Sequence, residues 1–273
     1  MTRIESKWKD LKKKNSKAFI PFVTAGDPSL MDTYELVLEL EKQGADIVEL
    51  GIPFSDPIAD GPVIQASSHR AIEKGVNLNK IFHLVKDLRK KTDIPIVFLS
   101  YYNPVFHYGL QRFVEDATQS GVDGVIVADL PPEEAKEIKI FSLKKGLDTI
   151  FLAAPTSSTE RLHKIVEAST GFIYCVSVAG VTGVRNSLAQ SLKKRVEDIK
   201  KLTDKPVAVG FGVSNTKTAQ WVASFADGVI VGSAIVKIIQ DNLAHLPVGQ
   251  GRKDLVNKVG VVVKNLASAV HRV

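Results

Sequence analysis

Short apolar runs rich in Val and Ile alternate along the chain with longer segments of helical period, the pattern of parallel strands joined by helices. Eight such runs stand out, at residues 18–23, 46–50, 95–100, 123–127, 148–153, 172–176, 206–210 and 227–231. None contains Lys or Arg, as expected of strands covered by helices on one face and facing a barrel interior on the other. One helix fits each crossover, except that the gap between the second and third runs has room for two, at 63–74 and 78–91. A leading helix reads best over residues 4–11. Asp123-Gly124-Val125-Ile126-Val127 recurs as Asp227-Gly228-Val229-Ile230-Val231, with Ala45-Asp46-Ile47-Val48-Glu49 a looser copy, so the pattern suggests two half-barrels. Eight βα units in about 250 residues predict an α/β fold, a single (β/α)8 TIM barrel over residues 1–273 with an extra N-terminal helix and extra helices in its crossovers. A doubly wound open sheet would need a dinucleotide fingerprint. The nearest match, Gly210-Phe211-Gly212-Val213-Ser214-Asn215, lacks the third glycine and follows the seventh strand.

Composition narrows the class further. The 273 residues are 44% hydrophobic and 24% charged, which excludes disordered and collagen-like chains. No stretch approaches the roughly 18 uncharged apolar residues of a spanning helix, and the start is charged where a signal peptide would be apolar. The expectation is a cytoplasmic protein. Cys175, the single cysteine, lies in an apolar run and reads as a small buried hydrophobe. The net charge of +6 is dispersed among 30 acidic residues, which argues against a nucleic-acid surface. The six histidines lack metal-ligand spacing, so no metal site is expected.

In a barrel the working residues sit at the carboxyl ends of strands and in the loops that follow. Glu49 ends the second strand, on the same face as Ile47. If that face is the interior, burial with no strand Lys or Arg to pair with pushes its pKa upward and makes a usable proton donor and acceptor. A structural glutamate accepting hydrogen bonds from nearby glycine backbone stands equal to it from position alone. The next loop carries Asp56 and Asp60 among three prolines, and both also read as turn residues, Asp56 in Asp-Pro and Asp60 in Asp-Gly. Two carboxylates in different surroundings can take separate acid and base roles. Gly210-Phe211-Gly212 and Gly232-Ser233 follow strands seven and eight, where such barrels offer backbone N–H groups at a helix start to a phosphate. Ser233 could cap that helix or donate its hydroxyl. The glycine-bearing loop over residues 177–186 suits a lid.

Together these segments resemble the alpha subunit family of tryptophan synthase. The resemblance is carried by Pro21-Phe22-Val23-Thr24-Ala25-Gly26-Asp27-Pro28, by Glu49-Leu50-Gly51-Ile52-Pro53-Phe54-Ser55-Asp56-Pro57 with Ala59-Asp60-Gly61-Pro62, and by Gly180-Val181-Thr182-Gly183, Gly210-Phe211-Gly212 and Gly232-Ser233-Ala234-Ile235-Val236. It implies a lyase that cleaves indole-3-glycerol phosphate to indole and glyceraldehyde 3-phosphate by retro-aldol chemistry, with no cofactor in this chain. Glu49 would be the general acid/base, and Asp60 would stabilise the indole N–H. Phe22 would line the indole pocket, Tyr174 would orient the region of the glutamate, and Thr182 would meet Asp60 when the lid closes. Gly183, Gly212, Gly232 and Ser233 would hold the phosphate, with Phe211 among the substrate-binding residues. The family also implies a beta subunit carrying pyridoxal phosphate, in an alpha2beta2 assembly, docked through residues 53–60 and the aromatic loop Tyr101-Tyr102-Asn103-Pro104-Val105-Phe106.

Two alternatives keep part of this picture: a stand-alone lyase that releases indole, and a catalytically silent regulatory subunit, against which Glu49 and Asp60 both speak. A Schiff-base aldolase would need a buried strand-end lysine, and the strands have none.

Overall fold

The computed structural model describes residues 1–177, 186–210, 212–243 and 251–273. The strands are β1 (Ala18–Thr24), β2 (Val48–Gly51), β3 (Ile96–Ser100), β4 (Gly124–Val127), β5 (Asp148–Ile150), β6 (Leu152–Ala153), β7 (Ile173–Val176), β8 (Val207–Gly210) and β9 (Gly228–Val231). All pair in parallel, in the order β5-β4-β3-β2-β1-β9-β8-β7-β6. β5 and β6 are two halves of the fifth stave, which was expected as one run. The first half pairs with β4 and the second with β7, so the chain itself closes the barrel through Phe151. The fold is the expected TIM-barrel-like (β/α)8 arrangement.

The helices before β4 are α1 (Arg3–Lys13), α2 (Leu30–Lys42), α3 (Pro62–Glu73), α4 (Leu78–Leu88), α5 (Tyr102–Tyr108) and α6 (Leu110–Ser120). They continue as α7 (Lys136–Lys145), α8 (Thr159–Ala168), α9 (Asn186–Lys200), α10 (Thr216–Ala223), α11 (Ser233–Asn242) and α12 (Gly251–His271). The aromatic segment read as a loop is a correction, because α5 begins at Tyr102 and the third crossover holds two helices. Pro104 is tolerated there because it falls in the first turn, where its missing N–H has no intrahelical acceptor. Asp129 Oδ1 accepts the otherwise open Tyr102 N–H at 2.7 Å. Among the described residues no helix is long and apolar enough to cross a membrane.

Two apolar clusters organise the molecule. The larger lies between the strands and the helical shell. The smaller fills the barrel itself with Ala18, Ile20, Ile47, Val97, Ile126, Ile150, Phe172, Tyr174, Ala208 and Ile230, and α1 plugs its base with Ile4, Trp8 and Leu11. Ile47 is thus interior, and the period of two along β2 brings Glu49 to the same side one layer higher. Cys175 is fully buried on the helical side.

The recurring Asp-Gly-Val-Ile-Val string has a definite function at the base. Asp123 N donates to the Ile96 carbonyl while its Oδ2 accepts the Ile96 N–H at 2.8 Å. Asp227 repeats this on Val207, at 2.9 Å, and Asp46 on Phe19, at 2.9 Å. Each aspartate therefore satisfies an N–H at the start of the neighbouring strand, the first in β3 and β8 and the second in β1. Cations meet each carboxylate, Arg89 and Arg3 at Asp123, Lys200 at Asp227 and Lys7 at Asp46, and the His271 ring also bonds to Asp46.

Candidate active site

At the opposite end, the carboxyl ends of the strands surround a cavity of about 370 Å³. Its lining includes Phe22 from β1, Glu49 from β2, Leu99 from β3, Tyr174 from β7, and Ile230 and Gly232 at the end of β9. Ala59, Asp60, Gly61 and Ile64 close it from the loop after β2 and the start of α3, and Gly212, Val213 and Ser233 from the loops after β8 and β9. A larger groove of about 630 Å³ between α2 and α4 contains none of the expected site residues. It is open on the outer surface, where it could not shield a reaction from water, so the cavity at the barrel mouth is the candidate site.

Phe22 and Glu49 are direct partners in the β1–β2 register, so both point inward in one layer. Room for the Phe22 ring is made by glycine: a Cβ on Gly51 would come within 2.5 Å of its Cζ, and one on Gly232 within 3.2 Å of its Cδ1. Gly210 does the same for Tyr174, whose hydroxyl would lie 2.3 Å from a Cβ there. These strand-end glycines keep two aromatic rings flat against the interior wall.

Glu49 is 2% exposed, and its Oε2 is buried with no hydrogen-bond partner. A glutamate kept to satisfy glycine backbone would not leave an oxygen bare, since an unmade buried hydrogen bond costs about 1–3 kcal/mol. Burial first, and the charge of Asp60 second, push its pKa from the ordinary 4.5 up to about 8. Asp60 is also raised by burial, to about 6, with a hydrogen bond from Tyr101 pulling it back down. The two carboxyl groups thus stand in different surroundings, as unequal acid and base roles require. Asp56 is an exposed turn residue bonded to the Ser55 hydroxyl, outside the cavity. Tyr174 is buried, and desolvation with the nearby Glu49 and Asp60 holds its hydroxyl protonated well above the usual phenol range.

At the far side of Phe22 the chain offers backbone in place of charge. Gly212 adopts φ +75°, a left-handed conformation that favours glycine. Gly232, not Ser233, is the N-cap of α11, and no side chain caps the helix. Ser233 is therefore the first helical residue, a correction to its expected cap role, and its hydroxyl is not committed to a cap. The open N–H groups and the positive end of α11 face the same cavity as the two acids. Thr182, Gly183 and Phe211, and the lid expected over residues 177–186 apart from its two ends, lie outside the described residues. Among the described residues no cluster of three or more His, Cys, Asp or Glu side chains could hold a metal ion.

Sequence reasoning missed the apolar wall residues Leu99 and Ile230 on the strands, Ile64 on α3 and Val213 in the loop after β8. The alternation that turned Glu49 inward would also have turned Leu99 inward from Val97. It missed as well the partners of the Asp60 loop. Tyr101 reads from the sequence only as part of an aromatic loop, either an interface or a well-packed connection, yet its hydroxyl accepts the Ala59 N–H at 3.0 Å and bonds to Asp60, while Phe54 packs on its ring at 5.3 Å. Gln65 Nε2 donates to the Asp60 carbonyl at 2.9 Å. Contacts between separate loops leave no periodic signal in sequence.

Residues 8–271 match the family model described as tryptophan synthase alpha chain. A tryptophan synthase alpha chain from Geotalea uraniireducens is 53% identical over 241 residues, covering 88% of this chain and 90% of the relative. The crystal structure of tryptophan synthase subunit alpha from Legionella pneumophila is similar over the full length of both chains, with TM-score 0.90 and 36% identity. A chain of tryptophan synthase from M. tuberculosis, in an aminoacrylate-bound form, is similar with TM-score 0.87 and 32% identity over 99% of this chain and 100% of that one.

Proposed function

Since the chain belongs to the tryptophan synthase alpha chain family, whose reaction cleaves indole-3-glycerol phosphate to indole and glyceraldehyde 3-phosphate, we propose that Glu49 and Asp60 carry that lyase chemistry here. The observation that supports the pair most is the bare, buried Glu49 Oε2 with its pKa raised to about 8. At neutral pH this carboxyl retains its proton while Asp60, at about 6, is mostly ionised.

Indole is a poor carbon leaving group until its ring is protonated. Glu49 gives its proton to carbon 3, which converts the ring to an indolenine with positive charge on nitrogen. Ionised Asp60 stabilises that charge as it develops. The glycerol hydroxyl then returns a proton to Glu49, and its electrons form the aldehyde carbonyl as the carbon–carbon bond breaks. The electrons of that bond restore the aromatic ring and neutralise the nitrogen. One glutamate therefore acts as acid and then as base, and ends in its starting state.

Phe22, Leu99 and Ile230 supply an apolar bed for the indole, with Tyr174 held against the Glu49 region. Gly212, Gly232 and Ser233, with Gly183 by family resemblance, bind the phosphate, while by the same resemblance Phe211 is a further substrate-binding residue and Thr182 meets Asp60. The strand order β8-β9-β1-β2 supports this layout, since Phe22 on β1 separates the glycines after β8 and β9 from Glu49 on β2.

The partner is a beta subunit, in an alpha2beta2 assembly, and any pyridoxal phosphate belongs to that subunit. Exposed apolar residues around the mouth favour a docking face there: Ile58 is 85% and Phe106 59% exposed, beside half-buried Phe54 and Tyr102. Indole release from indole-3-glycerol phosphate by the purified chain, with and without a beta subunit, tests the reading. No indole in either arm would overturn it.

A further inference from the structure

The loop that carries Asp60 is held at few points. Within it, the Ile58 N–H donates to the Asp56 carbonyl and the Asp60 N–H to the Pro57 carbonyl, each at 2.9 Å. A Cβ placed on Gly61 would meet nothing within 4 Å, so no neighbour packs against that side of the backbone just past Asp60. Among the described residues two side chains reach in from outside to hydrogen-bond it. Tyr101 takes the Ala59 N–H and bonds to the Asp60 carboxylate. Gln65, in the first turns of α3, donates Nε2 to the Asp60 carbonyl at 2.9 Å and, more loosely, to the Pro57 carbonyl at 3.4 Å.

The base from which Gln65 reaches is itself fixed. Ser67 Oγ and Thr24 Oγ1 share a buried hydrogen bond of 2.6 Å between α3 and the end of β1. Arg70 forms a bidentate pair with buried Asp27, at 2.9 and 2.6 Å, tying α3 to the loop after β1. Bidentate pairing fixes orientation as well as distance. Gln65 therefore projects from a helix docked on the barrel rather than from another loop.

We propose that Gln65 is a positioning residue for the cleavage reaction, transmitting the fixed placement of α3 to Asp60 through the Asp60 carbonyl. The inference rests on the reading of Asp60 given above. The Tyr101 bond is to the Asp60 carboxylate itself, the group that turns to meet an indole N–H. The Gln65 bond is to the backbone and survives the turn. It keeps the Asp60 Cα in place while the side chain moves, which matters because a misplacement of about 1 Å can cost on the order of a hundredfold in rate.

The test is Gln65→Met, which keeps length and removes the donor, compared with the parent and with Asp60→Asn for kcat, KM, pH profile and thermal unfolding. Among the described residues the titratable groups facing Asp60 are Glu49 from β2, Tyr101 past the end of β3 and Tyr174 from β7, and Gln65→Met changes none of them directly. We expect kcat to fall about tenfold with KM within about twofold. The acidic limb of the profile should move down as the released Asp60 gains water, and the alkaline limb should stay where Glu49 sets it. Parent-like kcat and acidic limb, with Asp60→Asn inactive, would overturn the proposal and leave the Asp60 reading standing. A fall in kcat with an unmoved acidic limb and a lowered unfolding temperature would also overturn it, as a merely structural effect. Full activity in Asp60→Asn would instead overturn the Asp60 reading.

Discussion

Asp60 and Glu49 line one cavity, and the negative charge of Asp60 adds to burial in keeping the proton on Glu49. The lower-pKa group thus prepares the higher one, and under the proposed roles the productive form has Asp60 ionised and Glu49 protonated. kcat/KM for indole release should then be bell-shaped, rising through about 6 and falling through about 8. Because the groups interact, both limbs belong to the pair. In Asp60→Asn the pKa of Glu49, followed by direct titration of its carboxyl in the folded chain, should move down. An alkaline limb that persists unchanged in Glu49→Gln with measurable activity would assign it to another group.

Glu49→Gln keeps shape and removes the transferable proton, so turnover should fall by about 10²–10⁴ with phosphate affinity unchanged. The same variant should be more stable than the parent at high pH. The folded pKa of Glu49 is raised, so below about 4.5 both states of the chain are protonated and the group contributes no difference. As pH rises toward about 8 the unfolded chain ionises first, the folded state binds the excess proton, and stability is progressively lost. Gln cannot ionise. Urea unfolding should therefore give an advantage for Glu49→Gln of about 2–4 kcal/mol at pH 9 that vanishes near pH 4.

How far the sequence alone reveals this depends on whether a feature is periodic. The strands, the inward turn of Glu49 and its raised pKa were all legible, since they follow from alternation and from the lack of strand cations. The break at Phe151 was not, because one stave pairs with two different neighbours and only barrel closure sets where the exchange falls. α5 was missed because Pro104 and the aromatic cluster mimic a loop unless Pro falls in a first turn. Ser233 was placed one residue early relative to the cap because Gly232 and Ser233 both suit that position by composition. The Asp60 anchors, Tyr101 and Gln65, come from tertiary meetings of different loops.

At the base of the barrel, where the Asp-Gly-Val-Ile-Val repeat sits, substitution should affect stability and spare chemistry. Asp123→Ala removes the acceptor of the Ile96 N–H and leaves Arg89, whose side chain is 11% exposed, without its carboxylate. A buried charge stripped of its partner costs about 3–5 kcal/mol. The expected result is a loss of about 3 kcal/mol in denaturant unfolding, with kcat per folded molecule within about twofold of the parent. A fall in kcat at unchanged stability would mean that the base communicates with the mouth.

The phosphate end can be tested apart from the acids. α11 starts without a side-chain cap, and its first residue, Ser233, lines the cavity. The N-terminal N–H groups and helix dipole suit an anion, and a carboxylate on residue 233 would occupy that place itself. Ser233→Asp should therefore weaken binding of glycerol phosphate at least tenfold, or about 1.4 kcal/mol, by repulsion and competition for the same N–H groups. It should also leave folding intact or slightly favoured, since an acid in the first turn of a helix is stabilising. Calorimetric titration with glycerol phosphate and thermal unfolding read the two effects separately. A drop in affinity with unchanged or raised unfolding temperature is expected. Unchanged affinity would assign the glycines after β8 and β9 to turns alone and move the phosphate elsewhere at the mouth.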